Sequence, residues 1–199
     1  MRRETALWVT LLVVMAAPLA GQATGTPSFN APYRAFSKSE FGGTISFPTG
    51  ANYALEGQYR FGYQKFDLGA RGGLIDFGGG FTRGILGAEG RTRVLTHTEQ
   101  FPLDGAVIVG LGASFGQGTS SGLLSGGLSL GRRLDPKDTQ VSIVLYGEPT
   151  LYIRTSGGGN PDFALGLGAD LRLSKVFDLR VSVGLGDNEG AAFSAVWVH

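Results

Sequence analysis

The stretch Leu167–Asp187, LGADLRLSKVFDLRVSVGLGD, contains Asp-Leu-Arg twice, at residues 170–172 and 178–180. Each copy sets an acid and a base two positions apart in an otherwise apolar run. On a helix, positions i and i+2 point to different sides. On a strand they share a face, because successive side chains alternate. The stretch therefore reads as two strands, each with a charged face backed by Leu, Phe and Val, joined at Ser174–Lys175. Antiparallel pairing about that turn sets Asp170 opposite Arg180 and Arg172 opposite Asp178, so an acid meets a base each time.

The same organisation recurs through the chain. Ten strands are expected, at about 39–48, 52–63, 65–76, 84–95, 104–115, 121–132, 139–154, 162–173, 176–186 and 190–199. They are separated by turn chemistry such as PTGAN, YQK, FGGGFT, RLDPKD, TSGGGNP, SK and DNEG, in which Gly, Asn, Asp and Pro set the bends. Short strands joined by short turns point to an all-β, antiparallel up-and-down meander that closes into a barrel of about ten strands, with eight as the smaller alternative.

Sorting six of these segments by parity separates charge from aliphatic bulk. Glu56 and Arg60 oppose Leu55, Tyr59 and Phe61; Asp67 and Arg71 oppose Phe66, Leu68 and Leu74; Glu89, Arg91 and Arg93 oppose Leu86 and Val94. Glu148 and Arg154 oppose Leu145, Leu151 and Ile153, while Asp170, Arg172, Asp178 and Arg180 oppose Leu171, Leu179 and Val181. The thirteen charges are six acids and seven Arg, with no Lys. Arg presents a planar fork to carboxylates and is more weakly hydrated than an ammonium, so a balanced Arg–acid set suits an enclosed polar space. These thirteen residues are the candidate lumen-lining network.

The N-terminus, MRRETALWVTLLVVMAAPLAGQA, has two Arg, an apolar run and then small residues, the layout of a secretory signal peptide expected over residues 1–23. Its apolar run is shorter than the roughly 20 residues of a spanning helix. Residues 24–38, rich in Pro, Ser and Thr, read as a periplasmic leader before a barrel over residues 39–199. Removing residues 1–23 takes 17 bases to 15 and 16 acids to 15, and a neutral chain argues against nucleic-acid binding. With no cysteine there is no disulfide framework, thiolate metal site or thiol nucleophile, and no cofactor is expected.

Period-two alternation fits two solvents. A soluble barrel turns its aliphatics to the core; an outer-membrane barrel turns them to lipid and its charges to the lumen. Three features favour the membrane. Lys is missing from the charged faces, and charged residues are 17% of the chain, below the roughly 25% of soluble domains. Aromatics also fall near two rims: Phe41, Phe61, Tyr63, Phe66, Phe177 and Trp197 at the periplasmic one, and Phe47, Tyr53, Phe77, Phe115 and Phe163 at the other. Through its signal peptide, the GLGADLRLSKVFDLRVSVGLG hairpin and the closing alternation AAFSAVWVH, the chain resembles the small outer-membrane β-barrel domains of Gram-negative-type envelopes. That resemblance implies outer-membrane lipid as surroundings and the barrel-assembly machinery as a partner in biogenesis. Members usually end in an aromatic residue that this machinery reads; here the last residues are Val198–His199, with Trp197 on the face of His199.

The expected role is envelope-structural or a narrow, porin-like passive path for small solutes. Ten strands enclose little space, so an ion-pair network filling the lumen is the favoured reading. The alternative is a soluble periplasmic lipocalin-like barrel around an apolar small molecule. A third reading, an outer-membrane lipid-modifying enzyme, would rest on His97, which has Thr96, Thr98 and Glu99 nearby but no neighbouring Ser, so no enzymatic role is expected. Asp187 and Glu189 in DNEG are too few for a calcium loop and read as a turn. The faces themselves are testable. Val181→Arg is expected to place a guanidinium in lipid at a cost of about 2–4 kcal/mol and to impair assembly. Arg180→Leu is expected to leave assembly intact or modestly weakened. The opposite ranking in membrane-assembly assays would mean that the faces are reversed.

Overall fold

A computed structural model describes residues 23–32, 38–116, 118–136, 141–155 and 160–199. The expected signal peptide lies outside these residues except for Ala23. Ten antiparallel strands form one closed barrel: β1 (Glu40–Pro48), β2 (Tyr53–Tyr63), β3 (Phe66–Asp76), β4 (Thr82–Leu95), β5 (Asp104–Gly116), β6 (Thr119–Leu134), β7 (Ser142–Arg154), β8 (Pro161–Arg172), β9 (Phe177–Gly186) and β10 (Gly190–Val198). Each strand pairs with its sequence neighbours, and β1 closes on β10 from Glu40↔Val198 to Pro48↔Gly190. Reciprocal bonds between Ser39 and His199 extend that seam. The ten-strand expectation holds, with bounds shifted by at most three residues, and the eight-strand alternative does not.

Register follows from the turns. The β8–β9 hairpin pairs Asp170 with Arg180 and Arg172 with Asp178, as the repeated Asp-Leu-Arg requires. The β2–β3 connection has only Gln64 and Lys65 between the paired Tyr63 and Phe66, and it forces Gln64 to a φ of 57°. The β3–β4 turn needs left-handed backbone at Gly78, Gly79 and Gly80, and the sequence supplies glycine at all three.

Alternation sets the two faces. Leu111, Leu86 and Leu74 are 64%, 58% and 57% exposed on the outer wall, while Arg60, Asp67 and Asp178 are 2%, 0% and 0% exposed inside. A lipocalin-like barrel would have the reverse arrangement. One rim carries a band of outward rings. Phe41 stacks on Trp197 with centroids 5.7 Å apart, Trp197 meets Phe177 at 5.0 Å, and His199 packs 6.0 Å from Phe41 and 6.3 Å from Tyr59. The band follows from the register, which sets Phe41 between Trp197 and Tyr59, and Trp197 beside Phe177. Phe77 and Phe81, 5.3 Å apart, lie at the opposite rim.

Residues 23–32 run through the barrel instead of lying in the periplasm as a leader. Ala23, Thr26, Ser28, Phe29, Asn30 and Ala31 are all buried there. Ala23 lies against inner positions of β4 and β5, and Pro32 against Gly131 of β6, after which the chain reaches the start of β1. Inward glycines make the room: a Cβ at Gly87 would sit 2.7 Å from the Cβ of Ala23, and one at Gly166 2.3 Å from the Phe29 ring. Gln64 marks a local conflict between residue and turn. A non-glycine residue in this conformation costs about 1–2 kcal/mol, against roughly 0.5–1 kcal/mol for glycine's extra entropy loss. Gln64→Gly is therefore expected to hold or raise stability by up to about 1 kcal/mol, read as an upward shift in the urea midpoint of the detergent-folded barrel.

Candidate functional site

The lumen combines an ion-pair network in the wall with the main chain of residues 23–32. Alternation directs Glu40 of β1, Arg60 of β2, Asp67 of β3, Glu89 and Arg91 of β4, and Asp170, Asp178 and Arg180 of β8 and β9 to the inside, where all are buried. Arg180 donates from Nη2 to Glu40 Oε2 at 2.6 Å and from Nη1 to Oε1 at 3.0 Å, and its Nε lies 3.3 Å from Asp170. Glu40 in turn lies 3.7 Å from Arg60, which donates to Asp67 at 2.9 Å and to Glu89. Glu89 also accepts from Arg91 at 3.0 Å. The network thus runs from β9 to β4, and the order Arg180, Glu40, Arg60, Glu89, Arg91 alternates in sign. Burying a charge is tolerable when it is paired and hydrogen-bonded, and the alternating five meet that condition, while Asp170 and Asp178 face Arg180 as ion pairs at 3.3 and 3.9 Å.

The threaded segment is held mainly by its backbone. Six successive carbonyls each accept a hydrogen bond from a wall side chain. Thr26 O accepts from Asn188 Nδ2 at 3.0 Å, Pro27 O from Ser182 Oγ at 2.7 Å and Ser28 O from Arg71 Nη1 at 3.1 Å. Phe29 O accepts from the Tyr146 hydroxyl at 2.9 Å, Asn30 O from Ser129 Oγ at 3.0 Å and Ala31 O from Arg91 Nη1 at 2.8 Å. The Phe29 amide donates to Ser182 Oγ at 3.3 Å and the Asn30 amide to Glu148 at 3.4 Å. Side chains add Thr26 donating to Glu56 at 2.7 Å and Arg180 donating to Asn30 Oδ1 at 3.0 Å. The Phe29 ring fills a slot over Gly166, beside Gly184, and Phe29 and Ala31 pack with Val144 and Tyr146 as the apolar cluster inside the barrel.

Of the thirteen charges marked by the sequence, ten are buried inside: Glu56, Arg60, Asp67, Arg71, Glu89, Arg91, Glu148, Asp170, Asp178 and Arg180. Arg71 also donates to Gln58 at 3.0 Å. Arg154 and Arg172 are half-buried near opposite rims, Arg154 paired with Asp162 and Arg172 4.0 Å from Asp178. Arg93 is exposed: it lies at the end of β4, where the register with β5 shifts between Arg93 and Leu95, and it has left the enclosed part of the lumen. Glu40 was legible in the alternation of β1, opposite Phe41, Ile45 and Phe47, but a sort of the six most charged segments passes over it. Ser129, Tyr146, Ser182 and Asn188 carry no charge, and nothing in their spacing marks them as donors.

His97 Nδ1 shares a 2.8 Å hydrogen bond with Asp104 Oδ2, and the His97 amide donates to Asp104 Oδ1 at 3.2 Å. Among the described residues no Ser or Thr hydroxyl is hydrogen-bonded to His97. Asp187 Oδ2 accepts from the Phe163 amide at 2.7 Å and Glu189 O from the Thr49 amide at 2.9 Å, so both serve the outer turns. A cavity of about 410 Å³ opens at this end, bordered by Thr24, Gly25, Arg83, Arg154 and Asp187.

The geometry changes what substitution in the network is expected to do. Arg180→Leu would remove two hydrogen bonds to Glu40, the ion pair with Asp170 and the bond to Asn30, so its effect exceeds the modest one expected from a single cross-strand pair. Arg60→Leu would take from Asp67 its hydrogen-bonded guanidinium and leave Glu89 with Arg91 as its one cation in the alternating series. Removing one partner of a buried ion pair costs about 3–5 kcal/mol, and both variants are expected to lower the urea midpoint of the folded barrel accordingly. A change comparable to that of exposed Arg93→Leu would contradict the network.

No family model and no curated protein matches this chain. Among solved structures it is similar to the beta domain of the Bordetella autotransporter Brka, with a TM-score of 0.50 and 14% identity over 82% of this chain and 99% of that one. At that identity the likeness concerns the fold alone: a closed antiparallel barrel of the outer-membrane type.

Proposed function

We propose that the protein is an outer-membrane barrel with a closed lumen, serving the envelope as a structural element and not as a catalyst or an open porin. The observation that carries this reading is the row of six carbonyls, Thr26 to Ala31, each bonded to the barrel wall. A solute path would require this segment to leave, exchanging all six wall bonds for bonds to water at a net cost of about 0.5–1.5 kcal/mol each. The outward Leu, Phe and Val wall and its ring-bearing rim support residence in lipid. Lipid would surround the wall, and the barrel-assembly machinery would act in biogenesis, as the resemblance in sequence implies. Export by the N-terminal signal is part of the same reading.

Two measurements test it. In planar bilayers the full chain is expected to give no sustained single-channel steps; steady conductance in the unmodified protein would reject the closed lumen. Without detergent or lipid the folded chain is expected to aggregate; a monodisperse detergent-free protein would reject the membrane reading.

A further inference from the structure

We propose that the lumen is a binding site for a polypeptide main chain, with residues 26–31 as its resident ligand, and that a peptide of this sequence replaces the resident in trans. The proposal rests on the closed-lumen reading and adds what the filled space recognises. Main-chain carbonyls are common to every peptide, so the six wall donors read main chain and not sequence. They come from β3, β4, β6, β7, β9 and the β9–β10 turn, so donors on several sides of the lumen converge on one guest main chain.

Side-chain specificity enters through one ring, with Thr26 on Glu56 and Asn30 on Arg180 as two polar contacts beside it. Gly166 leaves the slot filled by Phe29: a Cβ there would lie 2.3 Å from Cδ1 of that ring, whereas at Gly184, beside the slot, a Cβ would first meet the Asn188 carbonyl oxygen at 1.9 Å. Elsewhere the guest has small residues at Gly25, Ser28 and Ala31 and short polar side chains at Thr26 and Asn30. Pro27, at the end of the bends over residues 23–27, and Pro32, in a turn, need no amide acceptor, and their fixed φ reduces the entropy lost on capture. The ligand class is therefore a proline-bearing segment of small and short polar residues with one aromatic side chain. Ser182 serves both directions of hydrogen bonding, accepting from the Phe29 amide and donating to the Pro27 carbonyl, as a receptor for peptide main chain does.

The tether keeps the resident at an effective concentration of roughly millimolar or more, so exchange requires cutting it. The experiment uses the full chain with Phe29→Ala and a protease sequence in place of residues 33–37, folded whole and then cut. The probe is a fluorescent peptide of residues 24–32, TGTPSFNAP. It is expected to bind saturably, about tenfold or more tighter than the same peptide with Ala for Phe, the scale of burying one aromatic side chain. Adding Gly166→Leu, which fills the slot from the wall side, is expected to abolish the advantage of the Phe peptide. The chain with native Phe29, cut in the same way, is expected to exchange its segment for the probe more slowly, which keeps the test available if the substituted chain does not fold. Equal binding of the two peptides, an advantage that survives Gly166→Leu, or no binding to a cut chain that remains a folded barrel would each overturn the proposal. A conducting uncut protein would instead fail the closed-lumen reading, so the two failures are distinguishable.

Discussion

In hydrocarbon a backbone amide or carbonyl finds no water, and each one left unpaired costs several kcal/mol. A sheet satisfies this constraint only by having no edge, and here the seam between β1 and β10 removes the edge. The rest of the molecule follows from that seam. Closure gives every strand an inside and an outside, so the side-chain period must be two through all ten strands. Closure at ten strands also fixes how little space lies within, between the side-chain-filled eight-stranded barrels and the open porins.

The narrow interior carries its own requirement. Arginines and carboxylates facing inward cannot remain charged in a confined space without partners, and the segment 23–32 brings carbonyls that equally need donors. The two needs meet. Arg91 bonds both Glu89 and the Ala31 carbonyl, and Arg180 bonds Glu40 and the Asn30 side chain. The wall network and the threaded chain are therefore one polar system, and a substitution in either leaves unpaired groups in the other. The inward glycines have the same explanation. Gly69 clears the Arg60 guanidinium and Gly184 the Asn188 carbonyl, whereas Gly87, Gly112 and Gly166 clear the threaded segment.

Strand count, register and face were legible because each is a local, periodic property. The Asp-Leu-Arg repeat contains its own pairing partner across a two-residue turn, and the rim aromatics sit where strand length places them. The threaded segment was not legible. Its Pro, Ser and Thr composition is that of an unstructured leader, and its order comes from donors on six wall elements far away in sequence. Glu40 was within reach of the alternation argument, whereas Tyr146 and Asn188 were not, because their role depends on a guest whose path the sequence does not encode locally. Arg93 obeys parity and yet is exposed, because parity does not report where a strand passes the lumen rim or where a bulge shifts the register.

The central claim is that the aliphatic wall faces lipid and the polar wall faces a filled interior. The chain has no cysteine, so single cysteines introduced along β5 report without background. Nitroxide labels at Ile108, Val109, Gly110 and Leu111, reconstituted in bilayers, can be ranked by collision with lipid-soluble oxygen. The account predicts high oxygen accessibility at Val109 and Leu111 and low accessibility at Ile108 and Gly110. The inverse ranking, with Val109 and Leu111 open instead to a water-soluble relaxant, would contradict it.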